Sequence, residues 1–521
     1  MNKTRYIRVI PKLDIKGPNL VKGIHLEGLR VLGRPEDFAR FYYHTGADEL
    51  IYIDLVASLY GRSNLVEIVK RIASEIFIPL SVGGGVRSLK DMHDLLRAGA
   101  DKIIINTALF DNLELLEQGT ATYGSQCMVV YIEAKKKSTS QDYECMHTNA
   151  RENSGIEVLE WAKKVEEKGA GEIFLTFVDS EGTGEGLDYD FLELFSKSVN
   201  IPVIANGGFG NNHHIIRSLK KGADAVSCAS IFHYHGLEKI ETKSGREQEG
   251  NTAYIDLTRS GSRGFLKQKI KPESIAQVKN EMKDNSFFCR TAAPGELKFN
   301  YCVQKKKPKV VIVDYGMGNM FSLDRAFKAV GADVVVTSDP EEVKKAGHLI
   351  LPGVGAFPQA VKNLQSKGLF TPLLDHAKKG SPLLGICLGM QLLFSSSDEI
   401  KYTEGLNILP GNLELLFKSK KNAALKLPHI GWNRLILKNE TKTDTPWSNT
   451  IFLSVDPGSF VYFVHSFAVY DISSSFVLSV TDYGEEKFCS AVQKDNVSGC
   501  QFHPELSSEA GLNILNRFIK C

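Results

Sequence analysis

The stretch IPLSVGGGVRSLKDMHDLLRAGADKIIINTALF, residues 78–110, has a second copy later in the chain, IPVIANGGFGNNHHIIRSLKKGADAVSCASIFH, residues 201–233. The glycine-rich turn of the first copy, at Gly84, corresponds to the turn at Gly207 in the second. Each copy is typical of a strand, an amphipathic helix and a second strand, because short β-branched runs enclose a segment of helical periodicity. A repeat of this kind indicates a fold built from two equivalent halves.

Strand candidates alternate with helical stretches throughout the N-terminal half of the chain. They are RVIPKLDI, ELIYIDLVA, IPLSVGGG, KIIINT, CMVVYIEA, EIFLTFVD, IPVIANGG and AVSCAS. Regular alternation of strands and helices indicates a parallel sheet. Eight such units fit a closed barrel better than an open doubly wound sheet. We therefore predict an α/β protein that begins with a (β/α)8 TIM barrel made of two half-barrels.

The composition is that of an ordinary globular protein with more than one domain. The chain has 521 residues, of which 43% are hydrophobic and 24% charged, and a formal net charge of +2. This length exceeds what one hydrophobic core holds, and the small net charge gives no electrostatic signature of nucleic-acid binding. The sequence shows neither the apolar run of a signal peptide nor a window typical of a membrane span. We expect neither nucleic-acid nor membrane partners.

The cysteines bear on the compartment and on metal binding. The chain has 9 cysteines, an odd number, and they include no Cys-x-x-Cys pair. This pattern argues against a disulfide framework and against a zinc site. It favours a reducing compartment, so we expect a cytoplasmic protein with no metal and no cofactor.

We predict two domains joined by a linker. The barrel domain covers residues 1–285 and carries a polar, glycine-containing insertion at about residues 237–270. The linker covers residues 286–307, where periodicity fades and the chain runs into VQKKKPK. A second α/β pattern covers residues 308–521 and contains the strand candidates VVIVDYG, HLILPGVG, SPLLGICLG, FVYFVHSF and VSGCQFHPE.

The second domain contains a candidate nucleophile. LLGICLGMQ places Cys387 between a strand and a helical stretch, with a glycine on either side. Such glycines permit the strained elbow that exposes a nucleophile, and a helix N-terminus favours the thiolate. Far downstream, QFHPE offers His503 as a base and Glu505 to orient it. A lone cysteine would favour a buried structural role, but this combination favours a Cys–His–Glu triad.

The motifs LPGVGAF, GICLGMQLL, PHIGWN, YFVHSF and FHPE together resemble those of the class I glutamine amidotransferases over residues 308–521. The resemblance is greatest to the glutaminase subunit of imidazole glycerol phosphate synthase. It implies that Cys387 attacks the glutamine amide, which releases ammonia and leaves a glutamyl thioester. The further implied positions are an oxyanion strand at Gly353, Val354 and Gly355 and a glutamine contact at Gln391.

Two acids end equivalent strands of the predicted half-barrels. Strand 1 should match strand 5, so RVIPKLD sets Asp14 opposite Glu133, the last acid of VVYIEA. Taken alone, an acid at a strand end is usually the solvated edge of the strand. Two acids in symmetric positions at the C-terminal mouth of a barrel favour a catalytic pair instead.

Glycine-rich strand ends suit phosphate binding. Backbone N–H groups of SVGGG and ANGG can approach phosphate oxygens closely because glycine has no Cβ. Strands 7 and 8 form the usual phosphate site of a TIM barrel, and the repeat supplies a second such site at strands 3 and 4. Two sites across one mouth indicate a long substrate with a phosphate at each end.

The barrel resembles the cyclase subunit of the same synthase over about residues 5–235, through PKLDIKG, DELIYIDLVAS, VGGGVRS, GADKIIINTA and GADAVSCASIFH. That family joins ammonia to a biphosphorylated ribulosyl-formimino nucleotide and cleaves the product to imidazole glycerol phosphate and aminoimidazole carboxamide ribonucleotide. The resemblance implies Asp14 and the strand-5 acid, Glu133, as general acid and base, and it places Lys22 on a mobile first loop. The implied substrate and phosphate site comprises Lys22, Asp54, Gly84, Gly85, Asn106, Thr107, Thr176, Gly207, Gly208, Ala229 and Ser230. The implied ammonia gate at the N-terminal end of the barrel comprises Arg8, Glu49, Lys102 and Glu172.

The chain departs from the family pattern in several places. The strand-5 acid is Glu133 where the family has Asp, and an Asp beyond strand 6 is replaced by Glu181. Strand 1 reads P-K-L-D where the synthase usually reads P-C-L-D, and Leu506 replaces a lysine expected at the domain interface. The insertion and the order of the domains, cyclase first, also differ from the familiar eukaryotic fusion. These departures fit a paralogue group linked to bacterial surface-sugar synthesis.

Three functions remain open from the sequence. The first is a bifunctional synthase of histidine biosynthesis, with both activities in one chain and only small-molecule substrates, glutamine and a phosphorylated nucleotide. The second is a glutaminase–barrel ammonia donor for amidated surface sugars, with a separate sugar amidotransferase as its partner. The third is a non-catalytic assembly or sensor protein built on an inactive barrel, against which the intact Cys387–His503–Glu505 set argues.

Overall fold

The computed structural model describes residues 5–57, 65–138, 140–240, 269–291, 307–417, 425–438, 447–471 and 475–521. These residues divide into two compact units, one containing the predicted barrel and the other the C-terminal α/β region. None of the helices in these ranges combines the length and the apolar character needed to cross a membrane.

The first unit is built on short, buried strands rich in Val and Ile. Such runs suit strands that are covered on both faces. The described strands are β1 Tyr6–Lys16, β2 Asn19–Ile24, β3 Glu27–Gly33, β4 Leu50–Asp54, β5 Leu80–Gly83, β6 Lys102–Ile105, β7 Met128–Lys136, β8 Tyr143–His147, β9 Glu152–Glu157, β10 Glu172–Phe177, β11 Val203–Asn206, β12 Ala225–Cys228 and β13 Phe288–Cys289.

Eight of these strands form a closed parallel barrel, as predicted. The pairing runs β1–β4–β5–β6–β7–β10–β11–β12 and returns from β12 to β1. Arg8 pairs with Ala225 at the closing seam, and Ile104 pairs with Val129 where the first half-barrel joins the second. Each of the eight strand candidates read from the sequence corresponds to one barrel strand.

Helices connect the barrel strands, and the equivalent helices of the two repeat copies both begin with a side-chain cap. In the first copy, the Ser88 side chain caps its helix by accepting a hydrogen bond from the Asp91 N–H. In the second copy, Asn211 caps the equivalent helix through the His214 N–H. Side-chain caps of this kind satisfy N–H groups that lack a partner within the helix. The described helices are α1 Pro35–His44, α2 Leu65–Ala73, α3 Leu89–Arg97, α4 Ala108–Asp111, α5 Glu114–Tyr123, α6 Val158–Glu167, α7 Tyr189–Ser198, α8 Asn212–Lys220, α9 Ser230–Lys239 and α10 Ile275–Asp284.

Alternate residues of each barrel strand face the interior. The middle of the interior is a buried apolar cluster that includes Ile10, Ile51, Ile104 and Phe174. Because β1 alternates around Ile10, Arg8 faces the interior on one side of this cluster, and Lys12 and Asp14 face it on the other. The charged residues of the two ends are therefore separated by an apolar layer.

Two antiparallel hairpins follow equivalent strands of the half-barrels. Strands β2 and β3 form the hairpin after β1, and β8 and β9 form the hairpin after β7. Their tips meet, because the Asn149 side-chain amide donates to the Leu26 carbonyl at 3.2 Å. Both hairpins thus lie at the C-terminal ends of the barrel strands.

The described part of the predicted linker contains a short strand that pairs with β1. Phe288–Cys289 pairs with Tyr6 and Ile7, and the Arg290 side chain is buried against Asp48 at 3.0 Å. A two-residue strand has no periodicity of its own, so the sequence pattern did not show it. Of the predicted insertion, residues 237–239 belong to α9, and residues 241–268 lie outside the described residues.

The second unit is an α/β domain around a mixed sheet in the order β15–β14–β16–β17–β27–β26–β25–β22. Its parallel half carries the predicted strand-to-helix turn of Cys387, after β17. The described strands are β14 Lys309–Val313, β15 Asp333–Thr337, β16 His348–Leu351, β17 Leu383–Ile386, β18 Ser396–Ser397, β19 Thr403–Glu404, β20 Asn412–Leu415, β21 His429–Arg434, β22 Ile436–Leu437, β23 Phe460–His465, β24 Phe467–Val469, β25 Val477–Tyr483, β26 Glu486–Lys494 and β27 Val497–Cys500. The described helices are α11 Met320–Ala329, α12 Pro340–Lys345, α13 Phe357–Ser366, α14 Phe370–Lys378, α15 Leu388–Leu392 and α16 Ser508–Phe518.

Candidate functional site

Cys387 lies on a sharp turn between β17 and α15. Its backbone has φ +52° and ψ −109°, a conformation that a non-glycine residue adopts only when the surrounding structure enforces it. The surroundings are tight: a Cβ on Gly385 would lie 2.7 Å from a backbone oxygen, and one on Gly389 would lie 1.8 Å from another. The two flanking glycines are thus required for this turn, which presents the Cys387 thiol at the C-terminal end of β17.

His503 and Glu505 lie together just after β27, the strand next to β17. The Nδ1 atom of His503 is 2.8 Å from Oε1 of Glu505, and both side chains are buried. Burial alone would lower the pKa of His503, but the charges of Cys387 and Glu505 outweigh burial and raise it well above its usual value. An imidazole that lies beside a cysteine and is oriented by a carboxylate is the arrangement of a Cys–His–Glu triad. The structure brings the three predicted triad residues to one place.

The predicted oxyanion strand follows β16 and lies against the Cys387 turn. A Cβ on Gly353 would lie 2.6 Å from the Leu388 side chain, so only glycine fits there. Val354, Gly355 and Cys387 line one cleft of about 320 Å³. This closeness is what backbone donors aimed at a developing oxyanion require.

Gln391 lines the same cleft, one helical turn after the nucleophile. Its side-chain amide donates to the Phe467 carbonyl at 3.0 Å and to Gln501 Oε1 at 3.2 Å. Gln501 in turn donates to the Cys387 sulfur at 3.7 Å. The two glutamines therefore connect the wall of the cleft to the nucleophile.

Glu399, which lines this cleft, and Gln501, which contacts Cys387 beside it, were not identified from the sequence. Gln501 stands directly before the F-H-P-E run, so that motif could have indicated it. Glu399 accepts a hydrogen bond from the Phe357 N–H at 2.7 Å. Burial raises the pKa of Glu399 to about 7. No motif surrounds Glu399, and only the fold brings it near Cys387.

Asp14 lies near the C-terminal end of β1, inside the mouth of the barrel, with 2% of its surface exposed. Its Oδ1 atom is 2.9 Å from Nζ of Lys12, which is fully buried. Burial acts to lower the pKa of Lys12, but Asp14 and other nearby groups raise it above its usual value. Lys12 therefore stays charged. The sequence marked this lysine only as a departure from the family pattern, and the structure gives it a partner.

Glu133 is also buried in the mouth, with 2% of its surface exposed. Its Oε2 atom accepts a hydrogen bond from the Ala150 N–H at 2.8 Å, and burial raises its pKa to about 7 in spite of that bond. Lys137, which could have drawn it outward, binds Glu157 at 3.0 Å. Glu133 thus lies inside the cavity, on the same side of the apolar layer as Asp14.

The cavity next to Glu133 contains the predicted ligands of the first half-barrel. Its volume is about 520 Å³. It is lined by the predicted residues Asp54, Gly84, Gly85, Asn106, Thr107 and Glu133. Asn149, from the tip of the β8–β9 hairpin, also lines it and was not identified from the sequence. Oδ1 of Asn106 and Oδ1 of Asn149 are buried without a hydrogen-bond partner among the described residues, so the cavity offers polar atoms to a ligand.

The glycine turns of the two half-barrels have nearly the same conformation. Gly84 and Gly85 have φ of +110° and +70°, and Gly207 and Gly208 have +104° and +70°. A Cβ on Gly84 would lie 2.5 Å from the Asp54 carbonyl, so the turn requires glycine. The second turn does not line the 520 Å³ cavity. The remaining predicted residues of the second half are Thr176, which accepts from Asn206 at 2.8 Å, and Ala229 and Ser230 at the start of α9.

The resemblance implied that Lys22 is on a mobile loop, but the structure places it on a strand. It lies on β2, which pairs with both β1 and β3, and its side chain is buried. Its Nζ is 2.6 Å from Oε1 of Glu181. Burial acts to raise the pKa of Glu181, but Lys22 and Lys12 lower it to about 2. Lys22 is held in place because the hairpin pairs its strand and Glu181, which follows β10, pairs its charge.

The four predicted gate residues form a closed ring at the N-terminal end of the barrel. Arg8 binds Glu49 at 2.6 Å and also binds Glu172. Lys102 binds both of these acids at 2.7 Å. All four side chains are buried. Two cations and two anions alternate around the interior, so each charge is compensated on both sides.

Comparisons with known proteins agree with this architecture. The family "Histidine biosynthesis protein" matches residues 8–238, and "Glutamine amidotransferase class-I" matches residues 311–521. The "Imidazole glycerol phosphate synthase subunit HisF" of Legionella pneumophila is 54% identical over 204 residues, which are 39% of this chain and 96% of that relative. The chain belongs to the imidazole glycerol phosphate synthase family. The subunit HisF of Wolinella succinogenes is 44% identical over 243 residues, and that of Clostridium botulinum 43% over 244 residues; each match covers 47% of this chain and 96% of the relative.

As a member of this family, the chain is an enzyme that couples a glutamine amidotransferase to a cyclase-type barrel. The domain that matches the HisF subunits and the glutamine amidotransferase domain occur here in one chain, with the HisF-like domain first. The synthase barrel and the amidotransferase fold predicted from the sequence are both confirmed. The roles of individual residues in the two sites stay predictions.

Proposed function

We propose that the chain is a glutamine-dependent imidazole glycerol phosphate synthase. It hydrolyses glutamine, passes the ammonia along the barrel, and cyclises and cleaves a biphosphorylated ribulosyl-formimino nucleotide to imidazole glycerol phosphate and aminoimidazole carboxamide ribonucleotide. The observation that carries the proposal is the pair of buried acids, Asp14 and Glu133, in the mouth of a barrel with a glycine turn on each half. This pair gives the barrel its own acid–base chemistry.

At the glutaminase site, Cys387 attacks the amide carbon of glutamine. His503 gives a proton to the departing ammonia, and Glu505 holds the imidazole in the orientation that this transfer needs. Backbone N–H groups of the strand at residues 353–355 receive the oxyanion. Glu399, at the rim of the same cleft, supports the binding of glutamine through its α-amino group, since a carboxylate suits an ammonium ligand.

At the barrel site, one phosphate of the substrate binds at Gly84 and Gly85 and the other at Gly207 and Gly208. Positive-φ glycines expose backbone N–H groups that bind phosphate oxygens. The substrate then spans the mouth between them, where Asp14 and Glu133 move protons. Fixing both ends of the substrate keeps the reacting atoms in place.

Ammonia is expected to reach this mouth along the barrel axis. The ring of Arg8, Glu49, Lys102 and Glu172 is at one end of the axis, and the apolar layer around Ile10 separates it from the acids. An apolar passage favours neutral ammonia over the ammonium ion, because burying an uncompensated charge is costly. The ring is then the point at which ammonia enters.

The passage is tested by isotope competition. In a glutamine-driven reaction with added ¹⁵N-ammonium, we expect the imidazole product to stay largely unlabelled, because the ammonia does not exchange with solvent. The control is the Cys387→Ala variant, in which ammonium is the only nitrogen source and the product should be fully labelled. Full mixing of the label in the wild type would contradict transport along the barrel.

The synthase activity itself is tested by supplying the ribulosyl-formimino substrate with ammonium salt and measuring both products. We expect both, in equal amounts. Failure to form them, with glutamine hydrolysis intact, would instead support the ammonia-donor function for surface sugars. The relatives reported above are named for the synthase alone and give that alternative no specific support.

We place this activity in the cytoplasm. The described cysteines, Cys387 among them, are all free thiols, and a thiol nucleophile operates in a reducing compartment.

A further inference from the structure

Lys12 is a buried cation near the mouth of the barrel. It lies on β1 between the apolar layer and the mouth, two residues before Asp14, and its side chain is fully buried. A buried ammonium group is costly unless a carboxylate compensates it. Asp14 does so at 2.9 Å.

Among the titratable groups near Lys12, Asp14 is the anion that compensates its charge. The groups that interact with Lys12 or share its surroundings are Asp14, Tyr131, Glu133, Glu181, Lys22 and His233. Glu181 is bound by Lys22 at 2.6 Å. Burial lowers the pKa of His233 to about 3, assisted by Lys22 and Lys12, so this imidazole is neutral. Tyr131 is neutral as well, because burial raises the pKa of its hydroxyl.

Glu133 has no such partner. Within the described residues, no Lys, Arg or His side chain forms an ion pair with it, and its hydrogen-bond donors are the Ala150 N–H and the Asn106 side chain. Burial raises its pKa to about 7. The two acids of the mouth are thus in different surroundings, one beside a fixed cation and one beside neutral donors. Carboxylates in surroundings that differ in this way take different roles in catalysis.

We propose that Lys12 is a positioning residue that holds the Asp14 carboxylate as the base of the barrel site and so leaves Glu133 as its proton donor. This inference rests on the proposed synthase function. Ammonia first condenses with the keto group of the ribulosyl chain, whose oxygen leaves as water. As the nitrogen introduced in this way forms its second carbon–nitrogen bond, to the formimino carbon, Asp14 accepts one proton from it. As the old carbon–nitrogen bond of that carbon breaks, Glu133 gives one proton to the departing amine of the carboxamide ribonucleotide. Exchange with solvent restores both groups.

A double-mutant cycle tests whether Lys12 acts through Asp14. Lys12→Met keeps the apolar stem of the side chain and removes its charged end. We expect it to lower kcat of the ammonium-dependent reaction by about 100-fold, within the range of general acid–base catalysis, with little change in KM. In the Asp14→Asn background the same substitution should cost less than about threefold, because the partner is already absent. Equal costs in the two backgrounds would overturn the proposal.

The double variant Lys12→Met/Asp14→Asn also protects the test from a folding defect, since it removes both members of the pair and leaves no uncompensated charge. Unchanged glutamine hydrolysis and a cooperative thermal transition are the folding controls. If Lys12→Met lost glutamine hydrolysis or its cooperative thermal transition and the double variant did not, the variant would be misfolded. That result would count against the proposal.

A readout without turnover separates this inference from the synthase proposal. At about pH 6, below the Glu133 pKa of about 7, infrared spectroscopy should detect one protonated carboxyl group in the mouth of the wild type, absent in Glu133→Gln. The Lys12→Met variant should show a second protonated carboxyl group, that of Asp14, and the Lys12→Met/Asp14→Asn variant should not show it. No second band would overturn the role of Lys12. A wild type with the expected bands but no product would overturn the synthase proposal alone.

Discussion

Cys387→Ala is expected to abolish glutamine-dependent product formation while ammonium-dependent product formation continues. The alanine lacks the sulfur that forms the thioester, so the loss of glutamine hydrolysis should be about 10⁴-fold or more. The barrel acids do not depend on this sulfur. The measurement is the steady-state rate with each nitrogen source in turn, at saturating nucleotide.

The matched control is Cys489→Ala. Cys489 is likewise a buried free thiol of the second unit, on β26, but it does not line the glutamine cleft. It should keep glutamine hydrolysis close to the wild-type rate. If Cys387→Ala hydrolysed glutamine as fast as Cys489→Ala, the assignment of the nucleophile would be wrong.

Glu133→Gln should lower ammonium-dependent cyclisation by about 10²–10⁴-fold, the contribution typical of a general acid. Glutamine has nearly the same shape and its amide oxygen can still accept the Ala150 N–H, so the substitution removes the titratable proton with little other change. Glu133→Asp is the control. It keeps a carboxyl group but moves it by about 1 Å, so it should lose less activity than Glu133→Gln. Cyclisation within about threefold of the wild type in Glu133→Gln would exclude the catalytic role.

The pH dependence of the same reaction gives a second check on Glu133. A proton donor acts in its protonated form, which predominates below its pKa of about 7. The rate, divided by the concentration of unprotonated ammonia, should therefore be constant at low pH and fall about tenfold per unit above pH 7. This decline should disappear in Glu133→Gln. A rate that rises through pH 7 after this correction would identify Glu133 as the base.

Much of the architecture could be predicted from local sequence. The repeat around Gly84 and Gly207 indicated the half-barrels because turns with positive φ and amphipathic helices leave short-range patterns. The G-x-C-x-G run indicated the Cys387 turn for the same reason: a strained turn needs glycine at fixed positions. The barrel was therefore predictable, whereas the ordered strand at Phe288–Cys289 was not, because its two residues carry no pattern.

The sequence by itself determined the two folds, the triad candidates and the positions of the acids along the strands. Only the tertiary structure decided the state of those acids. It paired Lys12 with Asp14, fixed Lys22 on a strand beside Glu181, and, among the described residues, left Glu133 buried without an ion-pair partner. The physical reason is that the protonation of a carboxyl group depends on its burial and on charges within a few ångströms. In a closed barrel those charges come from strands that are far apart in the chain, so no local pattern records them.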